Sequence, residues 1–120
     1  MKAIIVRWDV AAHKEFLLLE QAVRDGKRRK DPSYEQLLAS INRAIQKLRT
    51  DPFCGDLIPR NHLSRAIARK YGTEKIFRLE LVGYWRMLYT VVGDETHIIA
   101  LILDFMDHPS YDELFGYKKR

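Results

Sequence analysis

Residues 77–89 read Phe-Arg-Leu-Glu-Leu-Val-Gly-Tyr-Trp-Arg-Met-Leu-Tyr. Two alternating runs flank a glycine, the signature of a β-hairpin. In the first run Phe77, Leu79 and Leu81 alternate with Arg78 and Glu80. In the second, Trp85, Met87 and Tyr89 alternate with Tyr84, Arg86 and Leu88. Two registers are open. Pairing Leu81 with Tyr84 puts Arg86 on the face of Phe77 and Leu79. Pairing Leu81 with Trp85 merges the apolar sets and leaves Arg78, Glu80, Tyr84 and Arg86 on the opposite face. A one-residue slip reverses every side chain, and an arginine on the main apolar face is costly to bury, so the second register is chosen. It needs an odd loop or a bulge, and Gly83 tolerates the positive φ that either demands. Glu80 then lies across from Arg86, and the two also read simply as a surface ion pair.

The hairpin belongs to three expected strands, about 75–81, 84–92 and 96–105, with Gly83 and Gly93-Asp94 at the turns. Ile98 to Leu103 is apolar at every position, as in a central strand covered on part of both faces. Upstream, Ala3 to Trp8 reads as a first strand, and Asp9 as the N-cap of a helix from Val10 to Arg24 with Phe16, Leu19, Ala22 and Val23 inward. Asp25-Gly26 stops it. Lys27 to Lys30 is a basic connector that reads as a solvated loop. Asp31-Pro32 starts a second helix with Tyr34, Leu37, Leu38, Ile41, Ile45 and Leu48 as its stripe, ending at Asp51-Pro52. Asn61 is the expected cap of a short third helix, with Leu63, Ala66, Ile67 and Tyr71 inward, Arg65 and Arg69 outward and Gly72 as its stop. A short helix or turn is expected near Ser110, before the basic tail Lys118-Lys119-Arg120.

The order β-α-α-(α)-β-β-β indicates an α+β fold. The antiparallel helical hairpin and the short helix are expected on one face of a small antiparallel sheet. The other face, left bare, is the natural place for function.

Composition bounds the rest. The 120 residues make one domain, residues 1–120, large enough to fold without metals or disulfides. The lone Cys54 excludes an intramolecular disulfide and any multi-cysteine zinc site. It fits a reducing cytoplasm. The apolar start is too short for a signal peptide, and the run Ile98–Leu103 is far short of a membrane span. A cytoplasmic location with no membrane partner is therefore expected. The net charge of +5 and pI near 9.4 point to a polyanion or an acidic protein as partner. The excess is uneven: residues 1–50 carry 11 basic and 6 acidic side chains, residues 75–120 carry 6 and 7.

The stretch 77–89 resembles the sheet hairpin of the RelE/ParE toxin superfamily, in which an alternating strand and a glycine turn precede aromatic-Arg-apolar-apolar-Tyr. Ile102-Leu103-Asp104-Phe105-Met106-Asp107-His108-Pro109-Ser110-Tyr111 is similar to the family's last strand and its His…Tyr segment, and Gly55…Ile58-Pro59…Arg69-Lys70-Tyr71-Gly72 to its connector. The resemblance covers essentially the whole chain. It implies the toxin of a type II toxin–antitoxin pair with an antitoxin protein as partner. In the RelE-like branch it implies a ribosome-dependent endoribonuclease acting on mRNA with no cofactor or metal. In the ParE-like branch it implies an inhibitor of DNA gyrase. A third reading is a nontoxic relative whose sheet face is a docking module.

Under the ribonuclease reading Arg86 and Arg78 match the family's basic positions, and His108 and Tyr111 approximate its C-terminal acid/base positions. Metal-free cleavage uses the 2′-hydroxyl as nucleophile and needs a base, cations for the phosphorane and a proton donor for the leaving 5′-oxygen. The arginines suit the phosphate oxygens, and His108 suits proton transfer. Tyr111 either stacks on a base, donates a proton or simply packs. Glu80 stands where several members have lysine; it repels RNA, serves as base or pairs with Arg86. Tyr84, with Arg60, Arg65, Arg69 and Lys70 from the connector, is expected to supplement RNA binding, and Lys27 to Lys30 to reach ribosomal RNA phosphates. His13, His62 and His97 lack metal-ligand spacing and receive no role.

Overall fold

The computed structural model describes residues 2–116. The basic tail at 118–120 lies outside them. Strand β1 (Ala3–Trp8) leads into α1 (Val10–Arg24) and α2 (Tyr34–Thr50). A two-residue strand β2 (Asp56–Leu57), a 3-10 turn (Arg60–His62) and α3 (Arg65–Tyr71) follow. Strands β3 (Phe77–Glu80), β4 (Arg86–Gly93) and β5 (His97–Met106) and helix α4 (His108–Phe115) complete the chain.

The sheet has five strands in the order β1-β5-β4-β3-β2. It is mixed: β1 runs parallel to β5, and every other pair is antiparallel. The parallel pairing is possible because the whole α1–α2 hairpin and more lie between the two strands, the long crossover that parallel neighbours require. No helix among the described residues is long and apolar enough to cross a membrane.

The hairpin adopts the second register. Glu80 pairs with Arg86, Leu79 with Met87 and Phe77 with Tyr89. The Leu81 N–H donates to the Trp85 carbonyl at 2.8 Å, leaving the odd loop Val82-Gly83-Tyr84. Both Gly83 and Tyr84 have φ of +62°. The twist of such a turn matches that of the flanking strands. Pro32 fixes Gly83 from outside, since a Cβ there would come within 2.6 Å of Pro32 Cδ. From inside, the buried Ser40 hydroxyl of α2 accepts the Val82 N–H at 2.9 Å.

Helices α1 and α2 cover one face of the sheet. Ala12, Phe16 and Leu19 of α1, and Leu37, Ile41, Ala44, Ile45 and Leu48 of α2, recur at three and four residues and are buried. Most of them pack with Phe77, Met87, Tyr89, Ala100 and Ile102. Several expected boundaries move. Ser33 caps α2, forming with Gln36 a reciprocal capping box that Asp31-Pro32 does not supply. Asp9 holds the N-cap position of α1 but makes no side-chain cap hydrogen bond. Ser64, which accepts from Ile67 N, caps α3 in place of Asn61, and α4 starts at His108, capped by Asp107.

The expectation of a bare second face is overturned. Ile58, Ile67 of α3, and Tyr111 and Phe115 of α4 form a second core with Ile76, Leu88 and Leu103. The short helix α3 therefore packs on the face opposite the hairpin of helices. The physical reason lies in the alternate positions of β4 and β5: Leu88, Leu101 and Leu103 are apolar too and need cover. A register shift beside Leu88 and Tyr89, where β5 carries one extra residue, puts Leu103 and Asp104 on this same face. Leu103 enters the second core, and Asp104 accepts the Tyr71 hydroxyl at 2.7 Å.

Two outcomes are expected. Ser40→Ala strands the Val82 N–H and lowers the unfolding free energy by about 1–3 kcal/mol, measurable by urea denaturation; an unchanged midpoint would show that the turn does not lean on α2. Burial pushes the Tyr89 hydroxyl up to about 12, against about 10 in the unfolded chain. As pH rises through that interval the unfolded chain loses this proton while the folded one keeps it. The stability contributed is thus whole below about pH 10 and lost toward pH 12. The alkaline fall should be shallower in Tyr89→Phe.

Candidate functional site

The chosen register sets Arg78 of β3 and Arg86 of β4 on the face that α4 covers, at the margin of the second core. Tyr111 of α4 brings them together. Its ring lies 5.2 Å from the Arg86 guanidinium carbon and 5.9 Å from that of Arg78. Its hydroxyl accepts from Arg78 Nη1 at 3.1 Å, which raises the already high pKa of the guanidinium. Tyr111 is only 3% exposed. It packs and positions, and its buried ring offers no face for a base.

Glu80 bridges the two arginines, with one carboxylate oxygen 3.2 Å from Arg86 Nη1 and the other 3.8 Å from Arg78 Nε. Asp56 of β2 adds a second carboxylate 3.6 Å from Arg78 Nη2. Arg86 Nη1 also donates to the Tyr84 carbonyl at 2.7 Å. The Arg86 side chain is 12% exposed and that of Arg78 31%. The Nε atoms of both are buried without a hydrogen-bond partner. Buried donors of this kind are uncommon.

His108 opens α4, three residues before Tyr111. Its Nε2 lies 3.1 Å from Asp112 Oδ2, one helical turn on. Its ring stands 6.3 Å from that of Tyr84, which is 74% exposed. Arg78, Glu80, Tyr84, Arg86, His108 and Tyr111 are therefore all brought to one place. Asp56 and Asp112 join them and were not singled out from the sequence. Asp112 was visible as the i+4 neighbour of His108. Asp56 was not, because a two-residue strand leaves no periodic signal. Among the described residues no three His, Cys, Asp or Glu side chains converge to hold a metal ion.

The connector cations lie elsewhere. Arg60, Arg65 and Arg69 line a cavity of about 280 Å³ with Ser64 and Glu74, and Arg60 pairs with Glu74 at 3.5 Å. Lys70 lies over the Tyr71 ring and lines another cavity with Asp104. Neither lining includes Arg78 or Arg86. In the basic connector, Arg29 turns inward. Its Nη1 donates to the Pro32 and Lys30 carbonyls at 2.7 and 3.0 Å, and its guanidinium covers the Trp85 ring at 5.2 Å. The expected solvated loop is thus tied at this residue to the hairpin turn.

No protein-family model matches the chain, and no curated protein does. Among solved structures the chain is similar to a YoeB/ParE toxin from Agrobacterium tumefaciens, with a TM-score of 0.54 and 16% identity, covering 90% of this chain and 99% of that one. At such low identity the likeness speaks for the arrangement of elements. With its mixed sheet, its paired helices on one face and its glycine-turned hairpin, the chain shares the α+β fold of that YoeB/ParE toxin.

Proposed function

We propose that this protein is the toxin of a toxin–antitoxin pair and a ribosome-dependent, metal-independent endoribonuclease acting on mRNA, with an antitoxin protein as its cytoplasmic partner. The observation that carries the reading is the meeting of two guanidinium groups on the Tyr111 ring at the hairpin margin, with the His108 imidazole one helical turn before Tyr111 and 6.3 Å from the Tyr84 ring. Arg78 and Arg86 receive the phosphate and stabilise the charge that gathers as the 2′-oxygen attacks phosphorus. His108 passes the proton to the leaving 5′-oxygen, with Asp112 orienting its ring. Tyr111 holds the arginines as a pair. Arg60, Arg65, Arg69 and Lys70 contact RNA phosphates away from the reacting centre, and Lys27 to Lys30 add salt-sensitive attraction.

Glu80 and Asp56 occupy the arginines in the free protein. An incoming phosphate has to displace at least the Glu80 carboxylate. Those acids also favour a second reading, in which the face is a docking surface for a protein such as gyrase and no RNA is cut.

Expression followed by primer extension on translated mRNA tests the first reading, since it should yield discrete, ribosome-dependent cuts. Arg86→Ala should relieve growth arrest at least tenfold in survival while circular dichroism stays native; persistent toxicity in a folded variant would remove Arg86 from the mechanism. Under the second reading His108→Ala stays toxic and gyrase supercoiling is the inhibited activity. Glu80→Gln should tighten binding to single-stranded RNA about fivefold, the scale of one partly exposed ion pair, whereas lost cleavage with unchanged binding would instead make Glu80 the base.

A further inference from the structure

Tyr84 occupies a position that suits it poorly. Its φ of +62° is the left-handed region where glycine and asparagine are at ease. A bulky residue there costs of the order of 1 kcal/mol. Its ring gains little in return, being 74% exposed. The surroundings nevertheless hold its backbone firmly. Trp85 N–H closes the turn onto the Val82 carbonyl at 3.3 Å, and Arg86 Nη1 grips the Tyr84 carbonyl at 2.7 Å. Pro32 abuts Gly83 on the other side. The result is a firmly held backbone that carries an exposed aromatic ring, with the His108 ring 6.3 Å away and the Arg86 guanidinium on the residue's own carbonyl.

We propose that Tyr84 is a nucleobase platform: an unpaired base of single-stranded RNA stacks on its ring beside His108, while that strand's phosphate lies on Arg86. The inference rests on the ribonuclease reading and adds what the substrate presents besides its phosphate. Tyr111, whose ring lies against both arginines, is buried and unavailable for stacking. The Arg86–Tyr84 hydrogen bond makes the platform and the phosphate-binding group one body, so base and phosphate are positioned relative to each other by the turn itself. Stacking tolerates any base but grows with ring overlap. Purines are therefore preferred at this position.

The test uses two 2′-O-methylated strands, which 2′-hydroxyl attack cannot cleave: an oligoadenylate and a sugar–phosphate backbone of the same length without bases. Tyr84→Gly removes the ring and suits the turn's φ, so the fold is kept. It should weaken oligoadenylate binding about 5- to 150-fold, corresponding to ~1–3 kcal/mol per stacked base, and leave binding of the abasic strand unchanged. Tyr84→Phe should retain both affinities, and Arg86→Ala should weaken both. Oligoadenylate binding that is unaltered in Tyr84→Gly yet lost in Arg86→Ala would overturn the platform and leave the ribonuclease reading standing. Absence of oligoadenylate binding by the unsubstituted protein, or no effect of Arg86→Ala on either strand, would overturn the platform, while the ribonuclease reading falls separately if primer extension on translated mRNA shows no ribosome-dependent cuts.

Discussion

The hydrogen bond from Leu81 N–H to the Trp85 carbonyl sets the register on which everything else in this molecule depends. Shifted by one residue, it would turn Arg86 into the core formed with α1 and α2 and expel Met87 and Tyr89 from it. Ser40 and Pro32 hold the turn from two sides, and Arg29 straps the preceding loop onto Trp85. The helical hairpin thus fills one face and also clamps the turn that aims the polar cluster on the other.

That cluster gains its character from partial burial. On a bare sheet Arg78 and Arg86 would be two screened charges of little consequence. Under α4, with the Tyr111 ring against both, they sit where the surrounding medium is less polarisable and each charge counts for more. Glu80 and Asp56 balance them. Removing guanidinium charges from water without compensation would be expensive. The same carboxylates make the free protein's site nearly neutral, consistent with the charge balance of the strand half of the chain.

Much of this was legible in the chain. Alternation in 77–89 with an odd loop at Gly83 predicted both the register and the company of Arg78, Glu80, Tyr84 and Arg86, because strand periodicity assigns faces independently of distant neighbours. The run Ile98–Leu103 announced a strand with two covered faces, and β5 has them. The same logic, applied to Leu88, Leu101 and Leu103, would have exposed the error of a bare second face. Those residues are a core of their own. The connector arginines, expected to supplement RNA binding, line a cavity separate from the Arg78–Arg86 pair.

Sequence by itself therefore determined the longer elements, the hairpin register and the side chains sharing a face, since these follow from local periodicity and turn chemistry. Only the tertiary structure decided that β1 joins β5 in parallel, that α3 and α4 close the second face, and that Asp56 and Tyr111 meet Arg78. Each of those depends on contacts between segments far apart in the chain, where no local pattern records which apolar surface will find which partner.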